Sequence, residues 1–167
     1  MNIRVMGFGG QGVVTLGRAL CNVALFTGYF PSMVLSKGST QTGGPVRCDI
    51  RLFDAPHRFD GVVSDAASFD SLTISKQGHL EWKLADMVRS NMVTPEEIRA
   101  LSIPPKGANF FLLGCYLAVC DNLTIDHMSP AVSQTMPPER AGPNIELCNA
   151  GYAFAQQRHR PSSKGEL

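Results

Sequence analysis

The sequence predicts a single α/β domain, and three observations lead to that fold class. Residues 2–6 predict a short strand that runs directly into a glycine-rich turn. Residues 13–27 then show the apolar spacing of a helix, and residues 29–35 return to a strand-like pattern, which completes a strand–helix–strand unit. The length of 167 residues suits one domain, which we assign to residues 1–157, with residues 158–167 as a flexible tail.

The first half of the chain contains the clearest local patterns. The helix over residues 13–27 has apolar side chains at three- and four-residue spacing, and Gly28 is a typical helix end. Residues 36–45 are all turn-forming or polar and predict a loop. From residue 46 to residue 52 apolar and charged side chains alternate, which predicts a half-buried antiparallel strand at an edge of the sheet.

The second half predicts mainly helices. A weak strand begins at Val62, followed by a helical or irregular stretch through Leu72. Residues 75–105 show little pattern, except that Thr94 and Pro95 suit the start of a helix. Three further helices are predicted over residues 109–120, 125–136 and 144–157.

Composition excludes several classes of protein. A net charge of +1 with 44% hydrophobic residues excludes a disordered chain. The longest apolar stretch, residues 110–120, is too short to span a membrane, and residues 1–10 show no signal peptide, so we expect a cytoplasmic protein. Neither a nucleic acid nor a membrane is predicted as a partner. The 17% of charged residues is below the usual value of about 25%, so either the surface is unusually apolar or part of it is not exposed.

The cysteines and histidines do not predict a metal site. The five cysteines form an odd set without a Cys-x-x-Cys pair, and the four histidines are scattered singly. We therefore expect reduced thiols, and neither zinc nor an iron–sulfur cluster on this chain.

The glycine-rich turn is the strongest candidate for a binding site. Gly7, Gly9 and Gly12 match G-x-G-x-x-G between a strand and a helix, where the first amides of the helix can bind an anion such as a pyrophosphate. The alternative is that these glycines only permit close packing of the helix on the sheet. The first acidic residue of the chain is Asp49, which argues against the ribose contact of an NAD-dependent dehydrogenase and for a local anion site.

A second loop follows the second predicted strand. Lys37 precedes small polar residues, but the spacing of a phosphate-binding P-loop is absent. Gly43 and Gly44 would allow this loop to bend back toward the first glycine turn, and a merely flexible loop is the alternative. No pattern typical of a hydrolase or metalloprotease site is present, so the residues alone indicate binding rather than catalysis.

Three blocks of sequence carry a resemblance to a known family. Residues 7–15 are similar to G-x-G-G-Q-G-V-x-T, and residues 36–44 resemble S-Y-G-P-E-x-R-G-G. The third block has two parts: residues 108–114 are similar to A-N-M-x-x-L-G, and residues 144–152 resemble N-x-x-A-x-x-x-G-Y. With these motifs the chain resembles the gamma subunit, or gamma domain, of 2-oxoacid:ferredoxin (acceptor) oxidoreductases, which act on pyruvate, 2-ketoisovalerate, 2-oxoglutarate or indolepyruvate.

The resemblance implies a Rossmann-like α/β fold, a three-layer sheet with helices on both faces. It implies a subunit that supports oxidative decarboxylation of a 2-oxoacid to an acyl-CoA, by shaping the active-site entrance and contacting coenzyme A. Thiamine diphosphate and iron–sulfur clusters are expected on partner subunits, and the isolated chain is expected to be inactive. No catalytic or metal-binding residue is assigned. The expected cofactor-binding residues are Gly7, Gly9, Gly10, Gln11, Gly12, Thr15, Lys37, Gly38, Thr42, Gly43, Gly44 and Asn109.

The expected partners are alpha, beta and optionally delta subunits, ferredoxin as the acceptor of the complex, and a homodimer as an option in isolation. A subunit that packs against such partners is expected to expose an apolar patch of interface size flanking the glycine loops. The alternative is a uniformly polar exterior, in which uncharged polar residues replace the missing charges. One departure from the family pattern bears on coenzyme A. Thr42 stands where the family has Arg before the paired glycines, so the anion contact is either lost or reassigned to Lys37. The alternative function is a stand-alone module that binds a phosphorylated ligand without redox chemistry.

Overall fold

The computed structural model describes residues 1–38, 43–56 and 68–159. Within these residues a mixed six-stranded sheet has the order β2-β3-β1-β4-β5-β6. The strands are β1 (Asn2–Phe8), β2 (Phe30–Lys37), β3 (Pro45–Phe53), β4 (Asp70–Ile74), β5 (Leu80–Lys83) and β6 (Asn91–Val93). The helices are α1 (Val13–Thr27), α2 (Pro95–Ala100), α3 (Ala108–Leu117), α4 (Met128–Thr135) and α5 (Pro138–His159).

The centre of the sheet is the parallel pair β1 and β4. The strand β3 is antiparallel to both β1 and β2, as the alternation predicts, but it lies between them, so its predicted position at an edge is wrong. Its charged residues are accommodated inside the sheet because Asp49 is ion-paired with Arg4, whose Nε lies 2.7 Å from the carboxylate. The alternation of apolar and charged residues along β3 therefore indicates that one face of the sheet is polar, and not that the strand lies at an edge.

One face of the sheet forms the core. The register pairs Ile3 with Ile50 and Val5 with both Cys48 and Leu72, and all five side chains are fully buried. The helices α1 and α3 contact this face, α4 packs on α1, and α5 packs on α3.

The α/β class is confirmed, but the expected placement of helices on both faces of the sheet is not found. Among the described residues the four longer helices stack on one face of the sheet, not on both. The opposite face carries Arg4, Asp49 and Arg47, which form a charged group that an apolar helix stripe would not cover favourably.

The predicted helix start at Thr94 is confirmed as a capping box at the beginning of α2. The three later helices are also present as α3, α4 and α5, although α5 begins before its predicted start at residue 144. The strands β4, β5 and β6 were not predicted, and β4 covers Leu72, where a helical or irregular stretch was expected.

The weak strand at Val62 lies outside the described residues. The helix α5 continues through His159, two residues into the predicted tail, and residues 160–167 are also outside the described part. The boundary of the domain at residue 157 remains a prediction.

Candidate functional site

The glycine turn connects the end of β1 with the first turn of α1. Gly10 and Gly12 adopt positive φ angles of 86° and 74°, which side chains with a Cβ atom rarely tolerate. Gly12 is the N-cap of α1, and no side chain caps the helix. The first amides of α1 therefore have no side-chain acceptor and can donate to an anion.

Packing explains two of the glycines as well. A Cβ atom on Gly7 would lie 2.6 Å from Val13 Cγ2, and one on Gly12 would lie 2.5 Å from Asn109 Nδ2. Both distances are shorter than real Cβ contacts. Close packing therefore accounts for Gly7 and Gly12, as the alternative proposed from the sequence, and it leaves their predicted role in anion binding open.

The Gln11 side chain forms hydrogen bonds that connect the glycine turn with the residue that follows β4. Its Oε1 accepts a hydrogen bond from the Phe8 amide at 2.8 Å, and its Nε2 donates to the Ser75 carbonyl at 2.9 Å. The side chain lies at the carboxyl ends of β1 and β4, where open α/β sheets bind ligands. Both ends of the Gln11 amide are already bonded, so its side chain positions the turn, and its predicted ligand contact remains a prediction.

The second loop returns to the glycine turn. The Gly9 amide donates to the Gly44 carbonyl at 3.0 Å, and a Cβ atom on Gly9 would lie 3.2 Å from Gly43 Cα. Gly38 likewise donates to the Pro45 carbonyl at 2.8 Å and closes the base of the loop. The predicted return of Gly43 and Gly44 is confirmed. Thr42, the departure from the family pattern, lies outside the described residues.

A cavity of about 450 Å³, which we call the β2 pocket, is lined by residues of both loops. Seven of its described lining residues are predicted site residues: Gly9, Gly10, Gly12, Thr15, Lys37, Gly38 and Gly44. Lys37, at the end of β2, is the cation among the described residues that line this pocket. Gly7, Gln11, Gly43 and Asn109 are not part of this lining.

A second cavity, of about 580 Å³, lies on the other side of the turn and is called the α5 pocket. It shares Gly10, Gly12 and Thr15 with the β2 pocket, and it contains Asn109. Sequence reasoning did not single out its three cations. These are Arg18, Lys106 and Arg140. They belong to different elements of the chain, and only the fold brings them to one cavity.

One group of exposed apolar residues does not lie where the predicted interface patch was expected, although Leu35, which is 38% exposed, precedes Lys37 on β2. Leu25, Phe26 and Phe30 are 52%, 41% and 42% exposed and surround the turn at Gly28. This turn is at the opposite end of α1 from Gly12, about 22 Å along the helix axis. The group therefore does not flank the glycine loops.

Across residues 1–38, 43–56 and 68–159, the structure contains no group of three or more histidine, cysteine or acidic residues that could hold a metal ion. A helix long and apolar enough to cross a membrane is also not found in this part of the chain.

Comparison with known proteins now assigns the family. Residues 2–87, which include the glycine turn and the second loop, match the family described as pyruvate ferredoxin/flavodoxin oxidoreductase. The chain belongs to this family. The resemblance predicted from the three sequence blocks is therefore confirmed.

The similarity to individual relatives covers nearly the full length of the chain. The chain is 24% identical to the 2-oxoglutarate synthase subunit KorC of Methanocaldococcus jannaschii, covering 93% of this chain and 94% of the relative. The gamma subunit of a keto/oxoacid ferredoxin oxidoreductase from Geobacter sulfurreducens has a similar fold, with a TM-score of 0.63, 15% identity and coverage of 93% and 98%. Pyruvate oxidoreductase subunit PORC from Thermotoga maritima gives a TM-score of 0.60 at 16% identity, with coverage of 92% and 95%.

A larger relative contains a similar fold as one part. The 2-oxoglutarate:ferredoxin oxidoreductase of Magnetococcus marinus, solved with 2-oxoglutarate, coenzyme A and succinyl-CoA bound, gives a TM-score of 0.64 at 15% identity. The match covers 94% of the present chain and 31% of that chain. The fold described here thus corresponds to about a third of the larger polypeptide.

Proposed function

We propose that this family member is the gamma subunit of a cytoplasmic 2-oxoacid:ferredoxin oxidoreductase and that it helps to form the coenzyme A site of the assembled enzyme. The near-complete coverage of two separate relatives, the KorC subunit and the Geobacter gamma subunit, supports a subunit of this size. A relative with coenzyme A bound contains a similar fold, which supports the choice of ligand.

In the proposed reaction a 2-oxoacid loses carbon dioxide, and its acyl group is transferred to the sulfur of coenzyme A. The two electrons released reduce ferredoxin, and the thiol proton goes to solvent. Thiamine diphosphate and the iron–sulfur clusters would be held by alpha and beta partner subunits, with delta optional. The isolated chain is expected to be inactive, and its own contribution is to bind and orient coenzyme A at the entrance of the site.

The observation that carries this proposal is the β2 pocket. Its walls combine the uncapped N-terminus of α1, the glycine turn and the exposed ammonium of Lys37. Amides at a helix N-terminus bind phosphate oxygens, and the lack of side chains at Gly9 and Gly10 lets a diphosphate approach the backbone. Lys37 would add one charge-assisted hydrogen bond in place of the family arginine.

The first test concerns assembly. A tagged chain is expressed with the genes beside its own, and the purified material is assayed for coenzyme A-dependent reduction of ferredoxin with a panel of 2-oxoacids. We expect alpha and beta subunits to copurify and activity to require this chain. A chain that binds pyrophosphate but recovers no such subunits would favour the alternative, a stand-alone module that binds a phosphorylated ligand.

The second test concerns the site. In the assembled enzyme, Lys37→Gln should raise the KM for coenzyme A about fivefold and leave the KM for the 2-oxoacid unchanged, as expected for one lost contact of about 1 kcal/mol. Lys83→Gln is the matched control, because Lys83 pairs with Ser71 at the far end of β4. Equal KM values in the two variants would contradict the coenzyme A contact of Lys37.

A further inference from the structure

The α5 pocket has the chemistry of an anion site, and the proposed function does not use it. Each of its three cations comes from a different element. Arg18 is on α1, Lys106 is in the turn before α3, and Arg140 is in the first turn of α5. Neither aspartate nor glutamate is among the described residues that line the cavity.

The three cations also lack ion-pair partners within the described residues. Other arginines of the chain are paired: Arg4 with Asp49, Arg99 with Glu96 and Arg158 with Glu97. Three like charges around one cavity repel each other, and a single multivalent anion would relieve this repulsion.

Asn109 provides an independent observation in the same cavity. It is 4% exposed, and its Nδ2 donates to the Gly12 carbonyl at 3.2 Å. Its Oδ1 is buried and has no hydrogen-bond partner within the described part of the chain. A buried acceptor without a partner is costly, so this oxygen favours a donor that the described residues do not supply.

We propose that the α5 pocket is a second anion-binding site, in which Arg18, Lys106 and Arg140 hold a phosphate or diphosphate group. An O–H or N–H group of the same ligand would donate to Asn109 Oδ1. The uncapped first turn of α1 lies between the two pockets and contributes Gly12 and Thr15 to both. This proposal does not depend on coenzyme A binding in the β2 pocket.

The test is titration calorimetry of the full chain with pyrophosphate at low salt. Arg140→Gln should weaken binding about fivefold, and Arg18→Gln combined with Arg140→Gln should weaken it further. The matched control is Arg89→Gln, because Arg89 is exposed and lies in neither pocket. Thermal melts of each variant check that the exposed substitutions leave the fold intact.

A parallel variant separates this proposal from the proposed function. If Lys37→Gln abolishes pyrophosphate binding while Arg140→Gln behaves like the control, the anion binds in the β2 pocket and the second site is refuted. Absence of pyrophosphate binding also refutes it. If Arg140→Gln weakens binding, competition with coenzyme A identifies the source of the phosphate. If the apparent Kd for pyrophosphate rises in proportion to the coenzyme A concentration, coenzyme A itself reaches the α5 pocket. If the apparent Kd rises to a limit or is unchanged, both bind together and the α5 pocket takes a separate phosphorylated ligand; both results support the site.

Discussion

Replacing Gly151 with alanine tests the packing that joins the last helix to the core. Gly151 on α5 and Gly114 on α3 face each other's backbone. A Cβ atom on Gly151 would lie 2.0 Å from the Phe111 carbonyl oxygen, and one on Gly114 would lie 1.9 Å from the Cys148 carbonyl oxygen. The obstacle is main chain in both cases, so no side-chain rotation can relieve it.

The magnitude follows from two opposing effects. In an exposed helix, alanine is more favourable than glycine by about 1 kcal/mol. At Gly151, however, the helices must separate by about 1 Å to restore a contact of 3.0 Å. Overpacking of this kind costs about 1–3 kcal/mol, and a backbone obstacle favours the upper end. The expected net loss in the free energy of unfolding is therefore about 2 kcal/mol.

Thermal unfolding followed by circular dichroism measures this change. A loss of about 2 kcal/mol should lower Tm by about 4–8 °C in a domain of this size. Ala153→Gly is the matched control, since Ala153 is exposed on the same helix, and it should lower Tm only by about 2–4 °C. A Tm for Gly151→Ala above that of the wild type would mean that helix propensity decides the outcome, and it would refute the close contact of α3 and α5.

Three further predictions concern stability. Tyr116→Phe removes the 2.7 Å hydrogen bond to the buried Asp70 carboxylate and should cost about 1–3 kcal/mol in urea unfolding, and an unchanged urea midpoint would contradict the bond. Thr94→Ala removes the capping box shared with Glu97 and should cost about 1 kcal/mol, whereas Thr94→Ser should be close to wild type by the same measurement. Burial raises the pKa of the Cys48 thiol from 9.0 to about 11, so above pH 9 the unfolded chain loses this proton more readily than the folded protein. The free energy of unfolding should therefore decrease between pH 9 and pH 11. A urea midpoint that does not fall over this range would argue against the burial.

The fold was predictable where a pattern is local and long. The helix α1 and the alternating strand β3 extend over 15 and 9 residues, enough to show their periods. The strands β5 and β6 have 4 and 3 residues, too few for a period to emerge. The strand β4 was missed because its core face begins with Asp70, whose burial depends on Tyr116 in a distant helix.

The candidate site was predictable in part for the same reason. The two loops contain turn residues that also match the family motif, and the Gly9–Gly44 hydrogen bond brings them together. The cations of the α5 pocket have no common spacing, so the sequence gives no reason to group them. The glycines at positions 114 and 151, which belong to the matched motifs, are explained by helix packing and not by a ligand.

Three hydrogen bonds from different elements fix the glycine turn in the absence of a ligand. Gln11 ties it to the end of β4, the Gly9 amide ties it to the second loop, and Asn109 bonds to Gly12 from α3. The amides that would meet an anion are therefore ordered when the protein folds, and the ligand does not bear that entropic cost. Because both pockets use this one turn, an anion in either pocket meets the same positive end of α1. A second anion would consequently bind more weakly at low salt than the first, and this difference should decrease as salt screens the two charges.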